Sequence, residues 1–158
     1  MSQEVIDGLK VCELFSMLSE EEVERLAKAL ARSCQIESYE AGDMIFTQGE
    51  HTTKLYIVIE GQVLLQRTFY LGNREANTTV AVLGRGRAMA WTALLYCPGD
   101  STASAICQKP TRVISVGGDA LRSLLENEPD VGYRVMARLA HILGDRLRAV
   151  YSAAESHL

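Results

Sequence analysis

Apolar residues recur along this chain with two periods, and the changeovers divide it into three stretches. Ser19-Glu20-Glu21-Glu22 has the form of a capping box, in which a hydroxyl closes the first helical turn and a glutamate three residues on reaches back. Val23, Leu26, Ala27 and Leu30 follow at helical spacing, so a helix with one apolar stripe starts there. Residues 5–15 carry apolar positions at looser helical intervals and predict a shorter piece before it. From 35 to 116 the pattern changes to short runs rich in Val, Ile, Thr and Tyr, punctuated by Gly42, Gly49, Gly61, Gly72, Gly84 and Gly86. These predict strands over 36–39, 44–48, 54–60, 62–70, 78–82, 101–107 and 111–116. Leu71-Gly72-Asn73-Arg74 is the hairpin turn, with residues that accept positive φ at low cost.

After Gly117 and Gly118 the period is helical again, over 119–126 with Leu121, Leu124 and Leu125, then beyond Pro129 to about 154. Pro129 suits a first turn, where its missing N–H costs nothing. Met136, Leu139, Leu143, Leu147 and Val150 line one side, with Val135 and Ile142 beside them. A helix of about 25 residues spans roughly 38 Å, longer than a small sheet covers. Part of this stripe is therefore expected to pack against a twin, with those five residues as the seam of a homodimer; docking of the whole helix on its own chain is the alternative. Gly144, in mid-helix, marks a bend or a close contact. The fold expected is mainly β with flanking helices: an antiparallel β jelly roll over 34–117, N-terminal helices over 1–33 and C-terminal helices over 118–156, in one domain over 1–158.

With 158 residues, 47% hydrophobic and 23% charged, the chain is long enough to bury a core without disulfides or metals. No run approaches the roughly 18 apolar residues a membrane span requires, and the first ten residues, with Glu4 and Asp7, do not form a signal peptide. A cytoplasmic location without membrane association is expected. A formal net charge of -4 gives no basic footprint, so this chain alone is not expected to bind DNA. Arg134, Arg138, Arg146 and Arg148 alternate with Asp145 at different helical angles and predict a solvated face. Cys12, Cys34, Cys97 and Cys107 are dispersed, and His51, His141 and His157 are isolated, so buried thiols are expected and neither a metal nor another cofactor. A metal-holding jelly roll would need further histidines beside His51.

The glycine turns fall in a recognisable order. Tyr39-Glu40-Ala41-Gly42-Asp43 with Ile45, Gln48-Gly49-Glu50, and the run from Leu55 through Glu60-Gly61-Gln62-Val63 precede Leu83-Gly84-Arg85-Gly86-Arg87-Ala88-Met89-Ala90-Trp91-Thr92-Ala93-Leu94-Leu95 and Ser101-Thr102-Ala103-Ser104-Ala105. Over about 18–150 the chain resembles cyclic-nucleotide-binding domains, the sensor modules of CRP/FNR-like regulators. The last two segments resemble their phosphate-binding cassette, Leu-Gly-x-Gly-x-x-Phe-Gly-Glu-x-Ala-Leu-Leu followed by Arg-x-Ala-Thr/Ser-Val. The resemblance places Ala90 at the glycine, Trp91 at the glutamate and Ser101 at the arginine.

In that family the glycine lets backbone amides approach a cyclic phosphate, the arginine pairs with the phosphate and the glutamate accepts from the ribose. Ser101 is short and uncharged, and the indole N–H of Trp91 donates but cannot accept. Losing two charged hydrogen bonds at roughly 1.5–3 kcal/mol each weakens binding by about two to four powers of ten. Gly86, Arg87, Ala90, Trp91, Thr92, Ser101 and Thr102 are thus the candidate residues of a degenerate ligand site. Arg85 and Arg87 either supply a substitute guanidinium or are solvated, the second being preferred; Trp91 either stacks on a planar ligand or fills the vacated cavity, again the second being preferred. The resemblance further implies that the last helix forms the dimer seam and moves with occupancy. The expected function is a non-enzymatic regulatory or sensor module, without the helix-turn-helix that usually follows, taking a nucleotide-like ligand or none. The alternative is a structural or protein-interaction subunit acting through its last helix. An enzyme is disfavoured, because Ser101, Thr102 and Ser104 lie near no histidine in sequence.

Overall fold

The capping box at Ser19 forms in full. In the computed structural model, which describes residues 3–95 and 99–156, the Glu22 amide donates to the Ser19 hydroxyl at 3.1 Å and the Ser19 amide donates to the Glu22 carboxylate at 2.9 Å. The helix so started, α2 (Glu20–Leu30), buries Val23, Leu26, Ala27 and Leu30 and packs beside α1 (Gln3–Lys10). The piece expected over 5–15 divides, because the chain turns at Val11 and Cys12 before a single 3-10 turn at Glu13–Phe15.

The strands are β1 (Cys34–Tyr39), β2 (Met44–Phe46), β3 (Lys54–Glu60), β4 (Val63–Leu71), β5 (Arg74–Leu83), β6 (Ala88–Met89), β7 (Ser104–Cys107) and β8 (Thr111–Gly117). They form two antiparallel four-stranded sheets, in the orders β1-β8-β3-β6 and β2-β7-β4-β5. Period-two alternation sorts the core into layers. Leu55, Ile57 and Ile59 of β3, with Ile114 and Val116 of β8, face the helices, whereas Val58 and Val113 face the second sheet with Val63, Leu65, Leu83 and Cys107. The first sheet is thus covered on both faces.

Several strands depart from expectation. β5 begins at Arg74 instead of 78, since the ladder with β4 runs to the Leu71↔Arg74 pair at the turn, where Gly72 has φ 66°. The polar residues Glu75 and Asn77 hide this extension from a hydrophobic pattern. β7 begins at Ser104 instead of 101: Ser101 exchanges backbone hydrogen bonds with the 49–50 turn, receiving from the Gly49 amide and donating to the Glu50 carbonyl, both at 2.8 Å. β2 ends at Phe46, and the Gln48 amide donates to the Ser104 hydroxyl at 2.9 Å. The two-residue β6, which pairs with Tyr56 and Ile57, was below the length a pattern resolves.

The C-terminal helices are α3 (Gly118–Asn127) and α4 (Pro129–Glu155), with Pro129 in the first turn of α4. Val131, Val135, Leu139 and Ile142 are buried in the helix-side core. Leu139, expected in a dimer seam, is only 4% exposed, so its own chain already covers it. Met136 and Leu147 do face outward, in company with Tyr133 and Tyr151, while Leu143 and Val150 are partly covered.

The expectation of four solvated arginines holds for Arg148 alone, which rests on Asp145 at 2.7 Å and is 75% exposed. Arg134 donates to Glu22 at 2.5 Å and to Asp130 at 2.9 Å, and Arg138 to the Glu13 carbonyl at 3.2 Å. Arg146 is buried. The reason is that residues 13–22 wrap the flank of α4 and supply acceptors that solvent would otherwise provide. Arg134 beside Glu22, with the capping hydrogen bond from Ser19, holds that carboxyl at about 2. Among the cysteines, Cys12 and Cys107 are buried and Cys34 is half-buried; burial pushes the Cys12 thiol up to about 12 and Cys34 to about 11. Cys97 and His157 lie outside the described residues. No helix among the described residues is long and apolar enough to cross a membrane.

Candidate functional site

A cavity of about 450 Å3 separates the second half of α4 from the second sheet. The sheet contributes Phe46, Leu65, Arg67, Phe69 and Val80, and α4 contributes Leu143, Arg146, Leu147 and Val150. Two loop segments close it, Ala90-Trp91-Thr92 and Ser101-Thr102-Ala103. Five of the seven residues singled out from the sequence therefore meet at one wall although the chain separates them.

Ala90 is the sole non-glycine residue with positive φ among those described, at φ 65° and ψ 45°. This left-handed conformation costs an L-residue with a side chain about 1–2 kcal/mol. It precedes a short 3-10 helix, Trp91–Leu94, whose turn is closed by the Ala93 amide donating to the Ala90 carbonyl at 3.1 Å. The glycine of the resembling pattern thus meets a backbone need as well as close approach to a ligand, and Ala90 retains the conformation at a cost. The Trp91 side chain packs on the helix-side core and lines the cavity. The indole, expected to fill the space, leaves this volume open.

The hydroxyls in the wall are largely engaged. Ser101 Oγ, buried, donates to the Ala103 carbonyl at 2.7 Å, and Thr92 Oγ1 lies 3.2 Å from Thr52 Oγ1. Thr102 is exposed, and its carbonyl accepts from Arg67 Nη1 at 2.6 Å. The Arg67 guanidinium also stands over the Phe69 ring, 5.4 Å from its centre.

Gly86, Arg87 and Arg85 lie outside this wall. Gly86, at φ 87°, donates to the Val58 carbonyl and accepts from the Glu13 amide, and a Cβ there would stand 2.5 Å from the Val11 carbonyl oxygen. Close passage of the N-terminal segment accounts for that glycine. Arg87 pairs with Glu13 at 3.1 Å, and Arg85 donates to the Ile59 carbonyl at 3.0 Å.

The cationic groups at the cavity are Arg67 and Arg146, neither proposed from the sequence as a site residue. Arg146 Nη2 donates to the Ala88 carbonyl and lies 3.6 Å from Glu13 Oε2. Its Nε is buried without a hydrogen-bond partner. Burial lowers its pKa, Glu13 opposes this, and Arg87 adds to it. A signal for Arg146 was present: it follows Leu139 and Ile142 at spacings of three and four, on the stripe that faces inward. Arg67 carried no comparable mark, since its neighbours in space come from Phe69 and the distant Thr102.

Comparison with known proteins agrees with the frame. A family model described as "Cyclic nucleotide-binding domain" matches residues 36–128. The chain is 33% identical over 135 residues to the "Cyclic AMP receptor protein" of Thermus thermophilus, covering 85% of this chain and 59% of that one. It is 30% identical over 115 residues to the "CRP-like cAMP-activated global transcriptional regulator" of Mycobacterium tuberculosis, covering 73% and 50% respectively. The chain thus spans about half the length of the curated relatives it matches. A solved cyclic nucleotide-binding domain from Methylobacillus flagellatus superposes with a TM-score of 0.75 at 24% identity, over 99% of this chain and 83% of that chain, a likeness of fold.

Proposed function

Because the chain belongs to the cyclic nucleotide-binding domain family, we propose that it is a non-enzymatic regulatory module that senses a small molecule in the cavity beneath α4. The observation that carries this reading is the shared wall: Leu143, Arg146, Leu147 and Val150 of α4 bound the same volume as Ala90, Trp91 and Ser101. A ligand there touches the helix directly, so occupancy and helix position are coupled through contact. The outward side chains of Tyr133, Met136, Leu147 and Tyr151 then serve a homodimer, and displacement of α4 is read by the partner subunit. We place the module in the cytoplasm, with no DNA contact through these residues.

Two relatives are named for cyclic AMP, but ordinary cyclic AMP binding is disfavoured here. Trp91 offers no acceptor to a ribose hydroxyl, and Ser101 is uncharged and gives its one hydroxyl hydrogen to the Ala103 carbonyl, leaving none for a phosphate. The open volume weighs against the alternative of an interaction subunit with a filled pocket. The test is calorimetric titration of the full chain and of a folded Trp91→Glu/Ser101→Arg variant with cyclic AMP. The variant is expected to bind about 100-fold tighter or more. No gain would count against this cavity as the ligand site.

A further inference from the structure

We propose that the cavity takes an amphipathic organic anion, an apolar acyl or aryl body with one carboxylate head, and that Arg146 on α4 with Arg67 on β4 receives the head group. This rests on the cavity being the sensor's ligand site and goes further by naming what fits it. The wall is mostly aliphatic and aromatic, from Phe46, Leu65, Phe69, Trp91, Leu143 and Val150, and it contains two guanidinium groups and no carboxylate.

The positive charge is not neutralised within the wall. Among the described residues the acid within ion-pair distance of Arg146 is Glu13, and it is shared with Arg87 at 3.1 Å while its other oxygen accepts from the Ala88 amide at 2.7 Å. One carboxylate between two guanidiniums leaves a net positive charge. Arg67 pairs with no carboxylate among the described residues; its partners are the Thr102 carbonyl and the Phe69 ring. Arg146 is buried at the cavity wall, and a buried cation that shares its one carboxylate partner gains from a further anionic acceptor, because removing it from water has already been costly.

The remainder of the wall selects against a sugar. The Ser101 and Thr92 hydroxyls are engaged within the protein, and no carboxylate or amide side chain stands in the lining to accept from ligand hydroxyls. Only hydroxyl oxygens such as that of Thr102 stand among the side-chain acceptors of the wall, so the several hydroxyls of a sugar regain fewer hydrogen bonds than they lose from water, whereas an apolar ring or chain loses none. The volume of about 450 Å3 gives room for a bicyclic or medium-chain body with its head.

The experiment compares 1-naphthaleneacetate with its neutral amide and with cyclic AMP on the full chain, by calorimetry and by the indole N–H resonance of Trp91, the single tryptophan. The acid is expected to bind about 10- to 100-fold tighter than the amide and tighter than cyclic AMP, shifting the Trp91 resonance. Arg146→Met is expected to remove that preference while leaving amide binding within threefold. Because Arg146 is buried and its loss threatens folding, Arg67→Met gives the same comparison at a half-buried position and is expected to reduce acid binding about tenfold. Equal binding of acid and amide, or acid binding indifferent to both substitutions in folded protein, overturns the anion assignment and leaves the cavity as a ligand site. Tighter binding of cyclic AMP than of the acid overturns it in favour of a nucleotide. If no compound moves the Trp91 resonance at millimolar concentration and the Trp91→Glu/Ser101→Arg variant gains nothing for cyclic AMP, the sensor reading falls with it.

Discussion

Between Pro129 and Ile142, α4 buries Val131, Val135, Leu139 and Ile142 and is tied by Arg134 and Arg138 to the segment from Glu13 to Glu22. Between Leu143 and Glu155 it buries only Arg146, and its aliphatic residues border an open cavity. The same helix is therefore a packed element of the core at one end and the wall of a cavity at the other. The difference teaches that an apolar stripe has no single meaning along a helix: its early turns are buried in the core, while its later turns border a cavity and leave side chains such as Leu147 and Tyr151 exposed. On the sensor reading proposed above, anchoring one end gives a displacement at the other a defined direction.

The strongest way to break this contrast is a matched pair of substitutions. Leu139→Asp places a charge in the core and is expected to cost at least about 4 kcal/mol, seen as loss of cooperative thermal unfolding by circular dichroism. Leu147→Asp, half exposed in the other half of the helix, is expected to leave that transition nearly unchanged and to weaken a dimer about tenfold or more by sedimentation. Equal loss of stability in both would erase the distinction between the halves. A smaller effect sharpens it at the cavity rim: Ala90→Gly relieves the left-handed strain and is expected to stabilise by about 0.5–1 kcal/mol in urea unfolding.

The smallest effect tests the anchor. The Glu22 carboxyl sits at about 2 in the folded chain against an ordinary 4.5, so its contribution is complete above pH 4.5 and is lost as the pH falls through 2. Being near the surface and screened by solvent, the pair contributes modestly. Arg134→Met is expected to flatten the stability profile between pH 4.5 and 2 while leaving its shape above pH 5 unaltered. An unchanged acid limb would assign the anchor to the buried aliphatic residues alone.

Much of the architecture was legible in the residues. Ser19 and Glu22 marked a helix start through local hydrogen bonds, Gly72 and Asn73 marked a hairpin, and Pro129 marked the start of the long helix. The candidate site was legible in part: Ala90, Trp91, Thr92, Ser101 and Thr102 do line one cavity. Gly86 and Arg87 do not, because their partners are Val11 and Glu13, more than seventy residues earlier in the chain. Leu139 and Leu147 looked alike on one stripe, and their exposures of 4% and 50% separate them.

By itself the sequence determined what depends on neighbours a few residues apart: periodicity, caps and turns. The tertiary structure decided what each charge meets. Arg146 and Arg148 are two residues apart and chemically identical, yet one is buried against the Ala88 carbonyl and the other rests in solvent on Asp145. A helical step of about 200° over two residues puts them on opposite sides. Which side meets a cavity is set by where the sheets and the N-terminal segment pack, and that involves contacts across more than a hundred residues.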